Sequence, residues 1–259
     1  MKLSVVIPAL NEEPNMPRVL GQIPAEALRQ QGWDLEVIVV DNASTDGTAR
    51  IAAELGAIVV HQPNRGYGNA YHAGFAAATG DVIATGDADC TYPFDALPTL
   101  ILELELQGFD FMSTNRLGRA NHSAMKTSHI VGNHLLTAAS KTLFPRSPFR
   151  DSQSGMWIFR RAIWEHLDVR SNGMQFSQEI KNEAFLKGFC CGEVSIEYRT
   201  RGGQVKLNAT KDGLQNGWQL LAHRVRARRV SANASVIVLP EPAVSLENVT
   251  TASKALALD

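Results

Sequence analysis

Two carboxylates stand two residues apart in Asp87-Ala88-Asp89, directly after the apolar run Val82 to Thr85. In an extended or turning segment that spacing lets both reach one hard cation, and Mg²⁺ or Mn²⁺ prefers such oxygens while sharing its remaining positions with substrate phosphates. Two further apolar runs also end in polar residues. Leu3 to Ile7 leads into Pro8-Ala9-Leu10-Asn11-Glu12-Glu13, and Val37 to Val40 leads into Asp41-Asn42-Ala43-Ser44-Thr45-Asp46. Asp41 and Ser44 alone fit a turn that caps the next helix; three such ends together point to one shared crevice. Tyr198-Arg199-Thr200-Arg201, followed by Lys206, gathers three cations in one short segment. Without other context Arg199 and Arg201 read as a solvated pair on one face of a strand.

Several chemistries are excluded. Arg65-Gly66-Tyr67-Gly68 fails the dinucleotide fingerprint because the sixth position of G-x-G-x-x-G is Tyr71. No G-x-x-x-x-G-K-[ST] exists, and Ser152-Gln153-Ser154-Gly155 lacks the leading glycine of a nucleophile elbow. The balance of 25 basic against 26 acidic residues argues against a nucleic-acid binder. Cys90, Cys190 and Cys191 form neither a disulfide framework nor a spaced metal site, which fits a reducing, cytoplasmic setting. The apolar start is broken by Pro8, too short for an export signal. No run approaches the ~20 apolar residues that span a bilayer, so any membrane contact is expected to be peripheral, on the inner face.

The elements that must position these residues follow from periodicity. Strands are expected at Leu3 to Ile7, Leu35 to Val40, Ile58 to Val60 and Val82 to Thr85, alternating with helices at Glu12 to Gln31, Thr45 to Leu55 and Tyr67 to Ala78. This is an α/β chain with a mainly parallel, Rossmann-like sheet flanked by helices, in which ligands bind beyond the carboxyl ends of the strands. Past Leu97 the pattern becomes mixed: a helix to Gln107, a strand near Phe109 to Ser113, a basic stretch to Lys126 and a helix around Val131 to Leu143. The expected division is a catalytic domain over 1–212, a basic amphipathic helix over 213–230 and a weakly ordered tail over 231–259. In that helix Leu214, Trp218, Leu221 and Val225 form one apolar stripe, with Arg224, Arg226, Arg228 and Arg229 at its end.

The strand-end motifs, with Asn64 to Gly68, Asp151-Ser152-Gln153-Ser154-Gly155-Met156 and the Tyr198 to Lys206 segment, resemble the inverting family 2 glycosyltransferases of the GT-A fold. Within them they resemble the polyprenyl-phosphate branch typified by dolichol-phosphate mannose synthase, over roughly residues 2 to 212. The resemblance implies a nucleotide-sugar donor held by Pro8, Leu10, Glu12, Asp41, Gly66, Asp87, Ala88 and Gln153. It implies a Mg²⁺ or Mn²⁺ ion on Asp87 and Asp89, with Arg199, Arg201 and Lys206 closing over the phosphates. Relatives often carry glutamine where Thr91 stands and an arginine near His129; here Arg116, Arg119 and Lys126 join His129 as the acceptor-phosphate set. The expected reaction moves one sugar from a UDP- or GDP-sugar to a polyprenyl phosphate with inversion. An acceptor hydroxyl would instead need a base, for which Glu179 and then Asp151 are the candidates. A nucleotide-sugar binding partner without turnover is the remaining alternative.

Overall fold

A computed structural model of the chain describes residues 1–118, 121, 124–125, 127–203 and 209–230, the last helix without side-chain detail at 209–212 and 228–230. Seven strands form one sheet: β1 Lys2–Ala9, β2 Asp34–Asp41, β3 Ile58–His61, β4 Val82–Thr85, β5 Phe111–Asn115, β6 Trp157–Arg160 and β7 Cys191–Ser195, in the order β3-β2-β1-β4-β6-β5-β7. The β1, β2, β3 and β4 pairings are parallel, β6 runs antiparallel between β4 and β5, and β7 is parallel to β5. After β3 the chain returns to the other side of β1, so the winding reverses between β1 and β4, where such sheets bind ligands.

The helices are α1 Met16–Gly21, α2 Ala25–Gln30, α3 Thr48–Glu54, α4 Tyr67–Ala77, α5 Leu97–Leu106, α6 Thr127–Leu143, α7 Phe176–Leu186 and α8 Ala209–Val230. Both faces of the sheet are covered. Leu3, Val5, Ile7 and Val39 enter one buried cluster with residues of α1, α2, α3 and α5, while Val6, Ile38, Val40 and Ile83 enter a second with Tyr71 and Phe75 of α4 and Phe176 and Ile180 of α7. Each such fully buried aliphatic side chain contributes roughly 1.5–3 kcal/mol. Two-sided burial is why β1, β2 and β4 read as continuous apolar runs.

The expected helix over Glu12 to Gln31 is two helices, because Pro24 lacks the amide that would continue the ladder and its ring opposes the preceding turn. Arg199 and Arg201 lie in a loop after β7, not on a strand. The helix expected over Gly213 to Arg229 extends over Ala209–Val230 and packs on α6 and α7. The tail over 231–259 lies outside the described residues.

Candidate active site

The loops after β1 and β2 are laced into one rim. The Asn11 amide donates to Ser44 Oγ (3.0 Å), the Thr45 amide to Asn11 Oδ1 (2.7 Å), the Glu12 amide to Thr48 Oγ1 (2.8 Å) and the Gly47 amide to Glu13 Oε2 (2.7 Å). Asp41, at the end of β2, accepts the Ser44 amide at 3.1 Å and lies 3.2 Å from His61 Nδ1. It therefore makes the turn expected of it, whereas the start of α3 is served by Asp46, which accepts the Thr48 amide. Asn11, Ala43 and Cys90 have φ of 51°, 61° and 66°. Left-handed backbone costs a non-glycine residue on the order of 1–3 kcal/mol and concentrates at functional sites; here each case lies in the loop that follows β1, β2 or β4. Gly66, at φ 145°, donates its amide to Asn42 Oδ1, and a Cβ there would sit 2.3 Å from the Asn172 carbonyl. No larger residue fits that entry to α4.

Asp87 and Asp89 come directly after β4. Asp89 is buried, accepts Thr91 Oγ1 (2.6 Å) and the Thr91 amide (3.1 Å), and pairs with Arg201 Nη1 at 2.6 Å. Asp87 accepts the Tyr67 hydroxyl at 2.9 Å and keeps one side open to a cleft. Burial, then the negative charge of Asp89, pushes its carboxyl up to about 7. Two crowded carboxylates that repel each other and offer only oxygen donors fit a hard divalent cation. No group of three or more His, Cys, Asp or Glu gathers among the described residues, so phosphate or water oxygens would complete the shell.

The cleft has a volume of about 900 Å³. Its floor carries Tyr67, Asp87, Thr91, Tyr92, Gln153 and Gly155; Arg116, Tyr198 and Arg201 line it, and α6 and α8 wall it with His129, Leu135, Leu136, Gly213 and Asn216. Arg116 and Asp151 form a buried two-pronged pair, with Nε to Oδ2 at 2.8 Å and Nη2 to Oδ1 at 3.0 Å. Burial alone would raise the Asp151 carboxyl, but the guanidinium holds it below its ordinary value. The Arg116 guanidinium also lies 5.3 Å from the Tyr198 ring centre.

The remaining expected residues separate into those that face this cleft and those that do not. Gln153 and His129 line it, and the rim of Pro8, Leu10, Glu12, Asp41 and Gly66 lies at the adjoining strand ends. Arg199 does not share the surroundings of Arg201: it pairs with Asp95 at 2.8 Å and with Glu197. Glu179 faces away from the cleft. Its buried carboxylate accepts Arg226 Nη2 (2.6 Å) and the amides of Ser171 (2.8 Å) and Arg170 (3.2 Å), and these bonds outweigh burial and lower its pKa. Lys206, Arg119 and Lys126 lie outside the described residues. Sequence reasoning did not assign Tyr67, Tyr92, Tyr198 or Lys181: Tyr67 and Tyr198 lie within motifs read for other residues, Tyr92 stands just past Asp87-Ala88-Asp89, and Lys181 carried no signal.

A family model described as glycosyl transferase family 2 matches residues 4–167. The chain belongs to this family. It is 41% identical over 213 residues to a low-salt glycan biosynthesis hexosyltransferase of Haloferax volcanii, covering 82% of this chain and 51% of that protein. It thus spans about half the length of that relative. To a dolichyl-phosphate hexose transferase of the same organism it is 31% identical over 215 residues, covering 83% of this chain and 90% of the other. Among solved structures, glucosyl-3-phosphoglycerate synthase of Mycobacterium tuberculosis with Mn²⁺, UDP and glucosyl-3-phosphoglycerate superposes with a TM-score of 0.66 at 23% identity, over 87% of this chain and 79% of that one. The family 2 chain has the GT-A fold: a mixed, mostly parallel seven-stranded sheet flanked by helices.

Proposed function

We propose that the protein transfers one sugar, with inversion, from a UDP- or GDP-sugar to a polyprenyl phosphate, with Mg²⁺ or Mn²⁺ held by Asp87 and Asp89. The ion would supply neutralisation of the donor diphosphate. Asp41 and the rim after β1 and β2 hold the nucleoside, and Arg201, beside Asp89, meets the charge that grows on the leaving diphosphate. Arg116 and, on α6, His129 both line the cleft and would hold the acceptor phosphate. An acceptor phosphate oxygen forms the new bond to the anomeric carbon as the bond to the donor's β-phosphate oxygen breaks, so a single displacement inverts that centre. The observation that carries the phosphate acceptor is the state of the two candidate bases: Glu179 is tied to Arg226, and Asp151 to Arg116. A hydroxyl acceptor needs a base, whereas a phosphate monoester, with a second pKa of about 6, is already ionised. The names of the relatives, a hexosyltransferase and a dolichyl-phosphate hexose transferase, support the same reading.

A lipid phosphate lies at a bilayer surface, and the outer face of α8 suits a peripheral position there on the cytoplasmic side. Leu214, Trp218, Leu221 and Val225 are each more than half exposed, as are Val131 and Leu135 on neighbouring α6. The inner face of α8 buries Asn216, Leu220 and His223 against the domain. Among the described residues no helix is long and apolar enough to cross a membrane. Incubating the protein with UDP- and GDP-sugars, short polyprenyl phosphates and Mn²⁺, and tracking lipid mass, tests the reading. A gain of one sugar on the lipid phosphate is expected; donor hydrolysis alone would overturn it.

A further inference from the structure

Lys181 of α7 is fully buried and does not line the cleft, yet its Nζ donates to two main-chain carbonyls, Asp151 O at 2.8 Å and Ser154 O at 2.9 Å. Glu193 of β7 grips the same segment by its amides. Its Oε1 accepts the amides of Arg150 (2.8 Å) and Asp151 (3.0 Å), while its Oε2 accepts Asn115 Nδ2 (3.0 Å). Asn115 immediately precedes Arg116 and its own Oδ1 accepts the Leu117 amide at 2.8 Å. The segment between them presents Asp151, which holds the Arg116 amide, Nε and Nη2. A position that needed only volume is filled at lower cost by an apolar side chain than by a buried ammonium.

We propose that Lys181 and Glu193 are positioning residues that clamp the 150–154 segment from its carbonyl and amide sides, and so fix the Arg116 guanidinium in the cleft. The consequence for turnover rests on the reading that Arg116 meets the acceptor's phosphate; the geometric claim does not. Burial pushes the Lys181 ammonium down to about 7, with Asp151 and Glu193 drawing it back up and Arg116 opposing them, so its charge is sustained by this network. Both clamped carbonyls keep a second donor, Ser154 N on Asp151 O and Trp157 Nε1 on Ser154 O. Lys181→Met therefore loosens the clamp without leaving either carbonyl unpaired.

The test is the Arg116 Nε–H signal in ¹⁵N spectra, assigned by its loss in Arg116→Lys, together with acceptor kinetics on the whole chain. In Lys181→Met the hydrogen-exchange protection of that signal falls about tenfold and the KM for a short polyprenyl phosphate rises about tenfold, with donor KM within about twofold. In an Arg116→Met background the same substitution changes acceptor KM less than about twofold, which a general loss of structure would not produce. Glu193→Gln, which keeps volume and an acceptor oxygen, shifts the signal the same way by less, and decides the matter if Lys181→Met does not fold. An Arg116 signal with wild-type protection in the folded variants overturns the clamp. A loosened signal in a protein that glycosylates no polyprenyl phosphate upholds the clamp and overturns the acceptor reading instead.

Discussion

Gly155→Ala places one methyl group at the meeting point of the cleft floor. A Cβ at Gly155 would lie 2.2 Å from the Tyr67 hydroxyl, 3.4 Å from that of Tyr92 and 3.5 Å from Asp87 Oδ1, where ordinary contact begins at 3.4 Å. Only Tyr67 has to move, by about 1 Å, and its ring is held edge-on against Tyr71 with centroids 4.8 Å apart. Its 2.9 Å bond to Asp87 is then lost. Overpacking of this size costs about 1–3 kcal/mol, and loss of a partner that orients a metal-ligating carboxylate typically weakens metal binding about 10–100-fold. Thermal melts and Mn²⁺ titration in the presence of UDP or GDP measure the two effects. Tyr67→Phe removes the same hydrogen bond without the added methyl, so it should reproduce the loss of Mn²⁺ affinity with a smaller loss of stability. Wild-type Mn²⁺ affinity in both variants would refute the role given to Tyr67 and the assignment of Asp87 as a ligand.

Arg201→Ala should lower kcat more than it raises donor KM, since leaving-group charge exists only in the transition state; steady-state kinetics showing a pure KM effect would contradict this. Glu36 gives a pH prediction. Burial would raise its carboxyl, but Lys2, Ser4 and Thr79 bring it down to about 2 from 4.5. A depressed carboxylate contributes stability above its unfolded pKa and loses it as pH falls through the folded one, so about 3 kcal/mol should disappear between pH 4.5 and 2, and denaturant melts of Glu36→Gln should lack that component. Trp218→Asp, on the exposed face of α8, should abolish salt-sensitive sedimentation with anionic liposomes; undiminished sedimentation would remove α8 from the membrane contact.

The strand ends were legible because two-sided burial makes β1, β2 and β4 continuous apolar runs, and the polar residues at the carboxyl end of each run fall in the crevice. The second half was less so. Helix α7 buries Gln178, Lys181 and Asn182 as well as its apolar row of Phe176, Ile180 and Ala184, so the contrast between its faces was too weak for periodicity to find it, and β6 is a four-residue strand inserted against the direction of its neighbours. Spacing made Arg199 and Arg201 equivalent, but a loop rather than a strand sends one to Asp95 and the other to Asp89. Glu179 has the residue type of a base; only the packing of α8 through Arg226 shows where its carboxylate is spent. The left-handed Asn11, Ala43 and Cys90 marked the site in a way no residue type announced.

The proposed reaction stands or falls on an acceptor that is a lipid phosphate held opposite the donor. A short polyprenyl phosphate and its parent alcohol, each presented to the protein with the same nucleotide sugar and Mn²⁺, separate the possibilities by product mass. One sugar should be added to the phosphate and none to the alcohol, with the acceptor KM for the phosphate raised at least about tenfold in Arg116→Met. Equal transfer to the alcohol, or phosphate transfer undiminished without Arg116, would contradict that acceptor.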